Sequence, residues 1–196
     1  MLKKILPFTL LAMSGAASAA GGYVGAGFGQ STVDVEPYYT GATSVSDSDT
    51  AFKIFGGYEF NRTIALEGGY ANFGEFGVDY AWTDGTFLYN DYERVEASAL
   101  YVAAVGSIPL GPVSLFGKAG LAHWFVDYTD YWDDWGITWS DSATGINPMF
   151  GFGVKIDAGN AFALRGEFER FLDVGDKNIT GQSDVDVVSL SAIFKF

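Results

Sequence analysis

Apolar and polar positions alternate with a period of two along most of the chain. In the segment 52–60, for example, Phe52 and Ile54 alternate with Lys53. This period is the one produced by a β-strand that buries or hides a single face. The alternation recurs in eight segments, at residues 23–30, 52–60, 64–73, 94–107, 113–124, 149–156, 161–171 and 187–196. The pattern therefore predicts an all-β protein with eight strands.

The connections between these segments alternate in length. Three are short, at residues 61–63, 108–112 and 157–160. The other four are long and polar, at residues 31–50, 74–92, 125–147 and 172–186. Short turns at one end and long loops at the other are typical of an antiparallel up-and-down transmembrane β-barrel. The sequence has no apolar run of the length that a transmembrane helix needs.

Charged residues inside the predicted strands lie opposite the apolar face and are accompanied by Gly, Ala and Ser. A small closed barrel has an interior that side chains fill completely, and buried charges there must be paired. We therefore expect an interior charge network made of Lys53, Glu59, Glu67, Arg94, Glu96, Lys118, Lys155, Arg165, Glu167, Glu169 and Lys195.

Two neighbourhoods are expected within this network. One brings Lys118 close to the strand of Arg94 and Glu96, and the other groups Lys155 with Arg165 and Glu167. On the segment 94–107, this interpretation assigns Arg94 and Glu96 to the inner face. The odd-numbered apolar residues, Val95 to Val105, are then assigned to the outer face.

The first nineteen residues have the pattern of a secretory signal peptide. Lys3 and Lys4 precede an apolar run at residues 5–13, and small residues at 17–19 fit a cleavage site. We expect residues 1–19 to be removed, and residues 20–196 to form the barrel domain.

Composition excludes several classes of function. The formal net charge of −13 and only 11 basic residues argue against nucleic-acid binding, which requires a positively charged surface. The sequence has no Cys, and its single histidine, His123, has no nucleophile placed beside it by any motif. The prediction is a non-catalytic protein without a metal site or a cofactor.

A group of Trp residues stands out in the long connection 125–147. Trp132, Trp135 and Trp139 lie there among several Asp residues. Aromatic side chains bury large areas at low entropic cost and are frequent binding anchors. They are candidates for contact with a sugar or protein at the cell surface, although packing of the loop on itself would use the same residues.

Several segments resemble the OmpA-type transmembrane domain, a family of eight-stranded outer-membrane barrels of Gram-negative bacteria. The resemblance lies in GYVGAGFG at 22–29, AFKIFGGYEFNRTIALEGGYANFGE at 51–75, FGKAGLAHW at 116–124, LRGEFERF at 164–171 and VSLSAIFKF at 188–196.

This resemblance implies a monomer in the bacterial outer membrane, in contact with its lipid and lipopolysaccharide, with short periplasmic turns and long surface loops. It also implies insertion by the outer-membrane assembly machinery, which reads a C-terminal strand carrying Phe194 and Phe196. OmpA itself continues into a peptidoglycan-binding domain, whereas this sequence stops at Phe196, so tethering to the cell wall is not expected.

The role within this family stays open between several alternatives. The leading interpretation is a structural or surface-interaction barrel of the cell envelope. Alternatives are an adhesin or host-resistance factor that acts through the acidic, Trp-bearing loop 125–147, and a narrow pore of low conductance. A soluble secreted β-barrel or sandwich that binds a small apolar ligand also fits the alternation.

Overall fold

A computed structural model describes residues 21–33, 42–83, 88–132, 137–177 and 180–196. The predicted signal peptide lies outside these residues, and so does Trp135. No helix in the described part is long and apolar enough to cross a membrane.

The described residues form nine antiparallel strands that close into a ring. The strands are β1 (Gly21–Val33), β2 (Ala42–Ser46), β3 (Ser48–Glu59), β4 (Ile64–Thr83), β5 (Leu88–Leu110), β6 (Val113–Trp132), β7 (Ile137–Ala158), β8 (Phe162–Asp176) and β9 (Gly181–Lys195). Neighbouring strands pair in the order β2, β4, β3, β1, β9, β8, β7, β6 and β5, and pairing of β4 with β5 closes the ring.

The short strand β2 continues the line of β3. Only Asp47 separates the two, and both pair with β4. Counted together they make one of eight barrel strands. The prediction of an eight-stranded antiparallel barrel is therefore confirmed.

Three segments that were expected to be long loops are mostly strand, and in one of them, 172–186, β8 continues to Asp176 and β9 begins at Gly181. In the region 74–92, β4 and β5 stay paired as far as Thr83 and Leu88. In the region 125–147, β6 and β7 stay paired as far as Trp132 and Ile137. The prediction was wrong because ladder hydrogen bonds do not require an apolar face, and these polar strands lie beyond the apolar band.

The barrel has an apolar outer surface and a filled interior. Large outward-facing side chains include Phe28, Phe52, Leu121, Phe152 and Leu190, and each is half exposed or more. The residues between them along the strands are buried. This arrangement inverts that of a water-soluble protein and matches a lipid-facing surface.

Strand β5 has the opposite orientation to the one expected. Ala97, Ala99 and Tyr101 are buried inside the barrel, while Leu100 and Val102 face outward. Both faces of this strand are apolar, so alternation of polarity did not distinguish them. The charged residues at the start of this strand, Arg94 and Glu96, therefore led to the wrong assignment of its inner face.

The three turns at one end of the barrel are tight, and we call this the short-turn end. In the first turn, the Asn61 side chain accepts hydrogen bonds from the backbone N–H groups of Thr63 and Ile64, at 2.8 and 2.9 Å. The other two turns each contain a glycine in the left-handed region, Gly111 and Gly159. Such positions favour glycine because it has no Cβ.

At the opposite, long-hairpin end, four strands continue well past the others. Pairing of β7 with β8 begins only at Met149 and Phe171, so residues 137–148 pair with β6 alone. We define the projecting sheet as residues 75–83, 88–96, 125–132 and 137–148. One of its edges is the upper part of β7, which has no strand beside it among the described residues.

Candidate functional site

Six of the eleven predicted interior charges come together in one buried group, which we call the interior cluster. Its members come from β3, β4, β6 and β8. Three are cations and three are anions, so the group is neutral. They are Lys53, Glu67, Lys118, Arg165, Glu167 and Glu169.

Glu67 is the most heavily bonded member of the cluster. Its carboxylate accepts hydrogen bonds from Arg165 at 2.5 and 3.1 Å, and from Lys118 at 3.2 Å. The hydroxyl groups of Tyr23 and Tyr101 also donate to it, at 2.9 and 3.0 Å. With five donors around it, the charge of this fully buried carboxylate is well compensated.

The two lysines link the remaining carboxylates. Lys118 lies 2.6 Å from Glu169 and 3.0 Å from Glu167. Lys53 lies 2.6 Å from Glu169 and also bonds to Glu167. Arg165 donates from its Nε to Glu167 at 3.0 Å. Every ion in the cluster therefore touches at least two ions of opposite sign.

Apolar side chains close the interior on both sides of the cluster. Towards the long-hairpin end, Phe73, Met149 and Phe171 are almost completely buried, and the rings of Phe73 and Phe171 are 4.7 Å apart. Towards the short-turn end, the Arg165 guanidinium lies 4.1 Å from the Phe55 ring centre and 5.3 Å from that of Phe116.

The interior leaves little room for solvent. A cavity of about 20 Å³ near the short-turn end, lined in part by Glu59, Lys155 and Arg165, is the size of one water molecule. This packing of the described residues argues against a diffusion pore.

Three of the remaining predicted charges form separate pairs at the short-turn end. Lys155 lies 2.6 Å from Glu59, and both are partly exposed. Lys195 lies 2.5 Å from Asp157, a turn residue that was not among the predicted charges. Lys155 lies opposite Arg165 in the β7–β8 ladder, but its ion-pair partner is Glu59, so this expected neighbourhood forms only in part.

The interior position predicted for Arg94 and Glu96 is wrong. Glu96 is exposed, and Arg94 contacts Glu75 at 3.2 Å and Asp79 at 2.5 Å on the outer face of the projecting sheet. The cause is the inverted orientation of β5. The expected proximity of Lys118 to these two residues fails for the same reason.

Trp132 and Trp139 lie at the ends of strands rather than in a loop. Together with Asp130 and Ile137 they line an open cleft of about 380 Å³, which we call the Trp cleft. The Nε1 of Trp132 donates to the Asp130 carboxylate at 2.6 Å, and 69% of the Trp139 surface is exposed.

The Trp cleft lies on the face of the projecting sheet that continues the barrel interior. Glu93, Asp130 and Trp139 are direct neighbours across β5, β6 and β7, so their side chains share this face. Partial burial, and to a lesser extent the nearby Asp130 carboxylate, raise the pKa of Glu93. The cleft therefore has an uncompensated negative charge at its edge.

Comparison with known proteins places this architecture in a family. Residues 17–196 match the family described as the OmpA-like transmembrane domain. The chain belongs to this family. It is accordingly a β-barrel protein of the bacterial outer membrane, and its long-hairpin end corresponds to the extracellular side.

One curated relative of this OmpA-like domain is outer membrane protein A of Klebsiella pneumoniae. The two are 24% identical over 144 residues, which make up 72% of this chain and 40% of that protein. The chain thus spans well under half the length of this relative.

Solved structures show the same fold. Neisserial surface protein A is 15% identical and superposes with a TM-score of 0.60, covering 91% of this chain and all of that one. The attachment invasion locus protein Ail of Yersinia pestis, in complex with the heparin analogue sucrose octasulfate, is 18% identical with a TM-score of 0.56 and the same coverage. OprG of Pseudomonas aeruginosa is 16% identical with a TM-score of 0.55, covering 91% and 97%.

The single histidine of the OmpA-like domain lies on the outside of the barrel. His123 is exposed on the outer face of β6, where its ring is 4.5 Å from that of Phe125. Ser114 is on the same strand but is buried inside the barrel. The described residues contain no group of three or more His, Cys, Asp or Glu arranged to hold a metal ion.

The closing strand ends in two lipid-facing aromatic residues. Phe194 and Phe196 are both about half exposed, and their ring centres are 6.4 Å apart. Phe194 also lies 5.3 Å from Phe162 of β8, and the backbone N–H of Phe196 donates to Gly22 at 2.9 Å. Their role as an assembly signal stays a prediction.

Two tyrosines that bond to the interior cluster were not predicted from the sequence. Tyr23 could have been found, because it alternates along β1 with Gly25, Gly27 and Gly29, and small residues of this kind accompany the interior face of the other strands. Tyr101 could not, because it lies on β5 and was assigned to the lipid-facing side.

The raised pKa of Glu93 leads to a direct test of the charge at the Trp cleft. We expect Asp130→Asn to lower the pKa of Glu93 only in part, because burial is the larger cause and persists in the variant. Titration of the Glu93 side-chain carboxyl by NMR would measure the change. An unchanged pKa would show that the two carboxylates do not interact.

Proposed function

We propose that this outer-membrane barrel binds a ligand on the surface of other cells through its projecting sheet, without catalysis. The observation that carries the proposal is the Trp cleft. Trp132, Ile137 and Trp139 are large apolar side chains that remain exposed at the extracellular end. Exposed aromatic residues gathered at one place are typical of binding surfaces.

The free edge of β7 supports the same proposal. Within the described part of the chain, residues 137–148 pair with β6 on one side and with no strand on the other, so the backbone groups of that side have no ladder partner among these residues. An open strand edge is a common site for binding an extended segment of another protein. The cleft and this edge adjoin, because Ile137 and Trp139 belong to both.

The filled interior indicates that the barrel supports the projecting sheet. Since the interior cluster and the apolar side chains around it leave no open channel among the described residues, the barrel serves as a rigid support for the projecting sheet. Rigid strands position a binding site more accurately than loops do. This interpretation favours surface binding over a narrow pore.

Charge indicates which ligands fit poorly. The projecting sheet contains one cation, Arg94, and eight acids, which are Glu75, Asp79, Asp91, Glu93, Glu96, Asp127, Asp130 and Asp141. The Ail structure holds a polysulfated sugar. Such a polyanion would be repelled here, since like charges facing one another disfavour binding.

Substitution of both described Trp residues tests the proposed function. We expect Trp132→Ser with Trp139→Ser to reduce adherence of bacteria displaying the full chain to cultured epithelial cells by about tenfold or more. The reason is that anchoring aromatic residues at interfaces often contribute about 2 kcal/mol or more each. Counting adherent bacteria against a strain without the protein gives the measurement.

The control for this experiment is Ser140→Ala. Ser140 lies on β7 next to Trp139 but on the opposite face, where it is paired with Thr129. Equal amounts of folded protein in the outer membrane must first be shown by heat-modifiable gel mobility. If the double Trp variant adheres as well as the control, the protein has a structural role in the envelope and the proposal is wrong.

A further inference from the structure

We propose that the Trp cleft binds a small organic cation with a methylated ammonium group. The inference rests on the proposed surface-binding function and adds the chemical class of its ligand. It follows from three properties of the cleft, which are its walls, its charge and its size.

The walls of the cleft suit a large, weakly hydrated cation. Indole rings attract cations to their faces more strongly than other aromatic side chains do, and quaternary ammonium groups are recognised in this way. Trp132 and Trp139 supply two indoles, and Ile137 adds apolar surface. A methylated ammonium gains from such walls because its methyl groups are apolar while its charge is retained.

The negative charge of the cleft favours a positively charged ligand. Asp130 lines the cleft, and Glu93 lies beside it across the β5–β6 ladder. Among the described residues, neither carboxylate has a cation within ion-pair distance. The nearest basic side chain in the sheet, Arg94, lies on the opposite face, where Glu75 and Asp79 engage it.

The Trp132 indole fixes one oxygen of Asp130. Its Nε1 donates to Oδ2 at 2.6 Å, and Asp130 also lines the cleft. A carboxylate held in place loses less conformational entropy when the ligand arrives. The indole therefore both lines the cleft and orients its charged group.

Size and ligand set distinguish this ligand from a metal ion. The cleft of about 380 Å³ lies in the range of small-molecule sites. Calcium and magnesium need six or more oxygen ligands, whereas the described residues that line the cleft offer one carboxylate, that of Asp130, and apolar walls. A bare lysine ammonium is strongly hydrated and would lose more hydration on entering than a methylated ammonium would.

Choline and its neutral isostere separate charge from shape. The two probes are choline and 3,3-dimethylbutan-1-ol, which replaces the quaternary nitrogen by carbon. Each is titrated into the purified full chain in lipid nanodiscs, and binding is followed by calorimetry and Trp fluorescence. We expect saturable binding of choline, with binding of the neutral alcohol at least tenfold weaker.

Three variants assign the site. Asp130→Asn keeps an acceptor for the Trp132 indole but removes the charge, and we expect about a tenfold loss of choline affinity. We expect Trp139→Ala to lower the affinity by about threefold to thirtyfold, the range of cation–π interactions. Ser140→Ala, on the other face of β7, leaves the affinity unchanged.

Several outcomes would overturn the proposal. These are a failure of choline to saturate the site, equally strong binding of its isostere, and wild-type affinity of Asp130→Asn for choline. Equal competition by magnesium would also contradict it, because that result indicates general attraction to the acidic sheet. Loss of adherence in the double Trp variant without choline binding refutes this ligand class alone, whereas choline binding without an effect on adherence refutes the proposed function alone.

Discussion

Replacement of Glu67 by Gln is expected to lower the free energy of unfolding by about 3–5 kcal/mol. The variant leaves Arg165 and Lys118 with one anion fewer inside the barrel, and an uncompensated buried charge has a cost of this order. The substitution keeps the size of the side chain, so the loss reports on charge rather than packing. Urea titration in phospholipid vesicles, followed by Trp fluorescence and gel mobility, gives the measurement.

Two controls separate the interior cluster from ion pairs in general. Glu59→Gln breaks the partly exposed pair with Lys155 and is expected to cost about 1 kcal/mol or less. Combining Glu67→Gln with Lys118→Met restores equal numbers of cations and anions in the cluster. We expect this double variant to be more stable than Glu67→Gln alone, and equal or lower stability would contradict charge balance as the cause.

Phe171→Ala is expected to destabilise the barrel by about 3–5 kcal/mol as well, for a different reason. Phe171 is 99% buried, and its ring packs against Phe73 at 4.7 Å and Tyr101 at 6.3 Å. Truncation leaves a cavity that a closed ring of strands cannot collapse to fill. The same urea titration measures the loss.

The matched control is Phe168→Ala on the same strand. Phe168 faces outward and contacts Phe152 at 5.3 Å, so lipid chains can fill the space that the smaller side chain leaves. We therefore expect a clearly smaller loss than for Phe171→Ala. Equal losses would mean that the interior packing above the cluster contributes nothing specific to stability.

Alternation of polarity was sufficient to predict the fold wherever the two faces of a strand differ. On β3, for instance, Phe52 and Ile54 face outward and Lys53 is buried, as the sequence indicates. On β5 the inner face holds Ala and Tyr and the outer face holds Leu and Val, so polarity carried no information there. The charges of Arg94 and Glu96 then misled the assignment, because they lie above the membrane, where either face can be polar.

The partners within the interior cluster could not be predicted, although most of its members could. Lys53 and Glu169 meet across the barrel interior although β1 and β9 separate their strands in the ring. Which ions meet there depends on the stagger of all eight strands, and that stagger depends on the exact length of each turn. Irregularities such as the bulge between Asn72 and Gly74 shift the pairing register of the strands further, and no pattern in the sequence predicted them.

The length of the strands could not be predicted from the sequence either. Above the apolar band, both faces of β6 and β7 meet water, so a polar strand and a polar loop have the same composition. Residues 125–147 were consequently assigned to a loop, and Trp132 and Trp139 with them. Their true placement on paired strands gives these side chains fixed positions, which a binding site requires.

The unequal height of the strands has a consequence for access from outside the cell. The projecting sheet stands on one side of the barrel mouth, whereas β8 and β9 end at Asp176 and Gly181. The Trp cleft lies on the face of this sheet that continues the barrel interior, so among the described residues it is open towards β8 and β9. Sugar chains of neighbouring lipids on that flank would then act as a selective barrier, admitting compact solutes more readily than bulky ones.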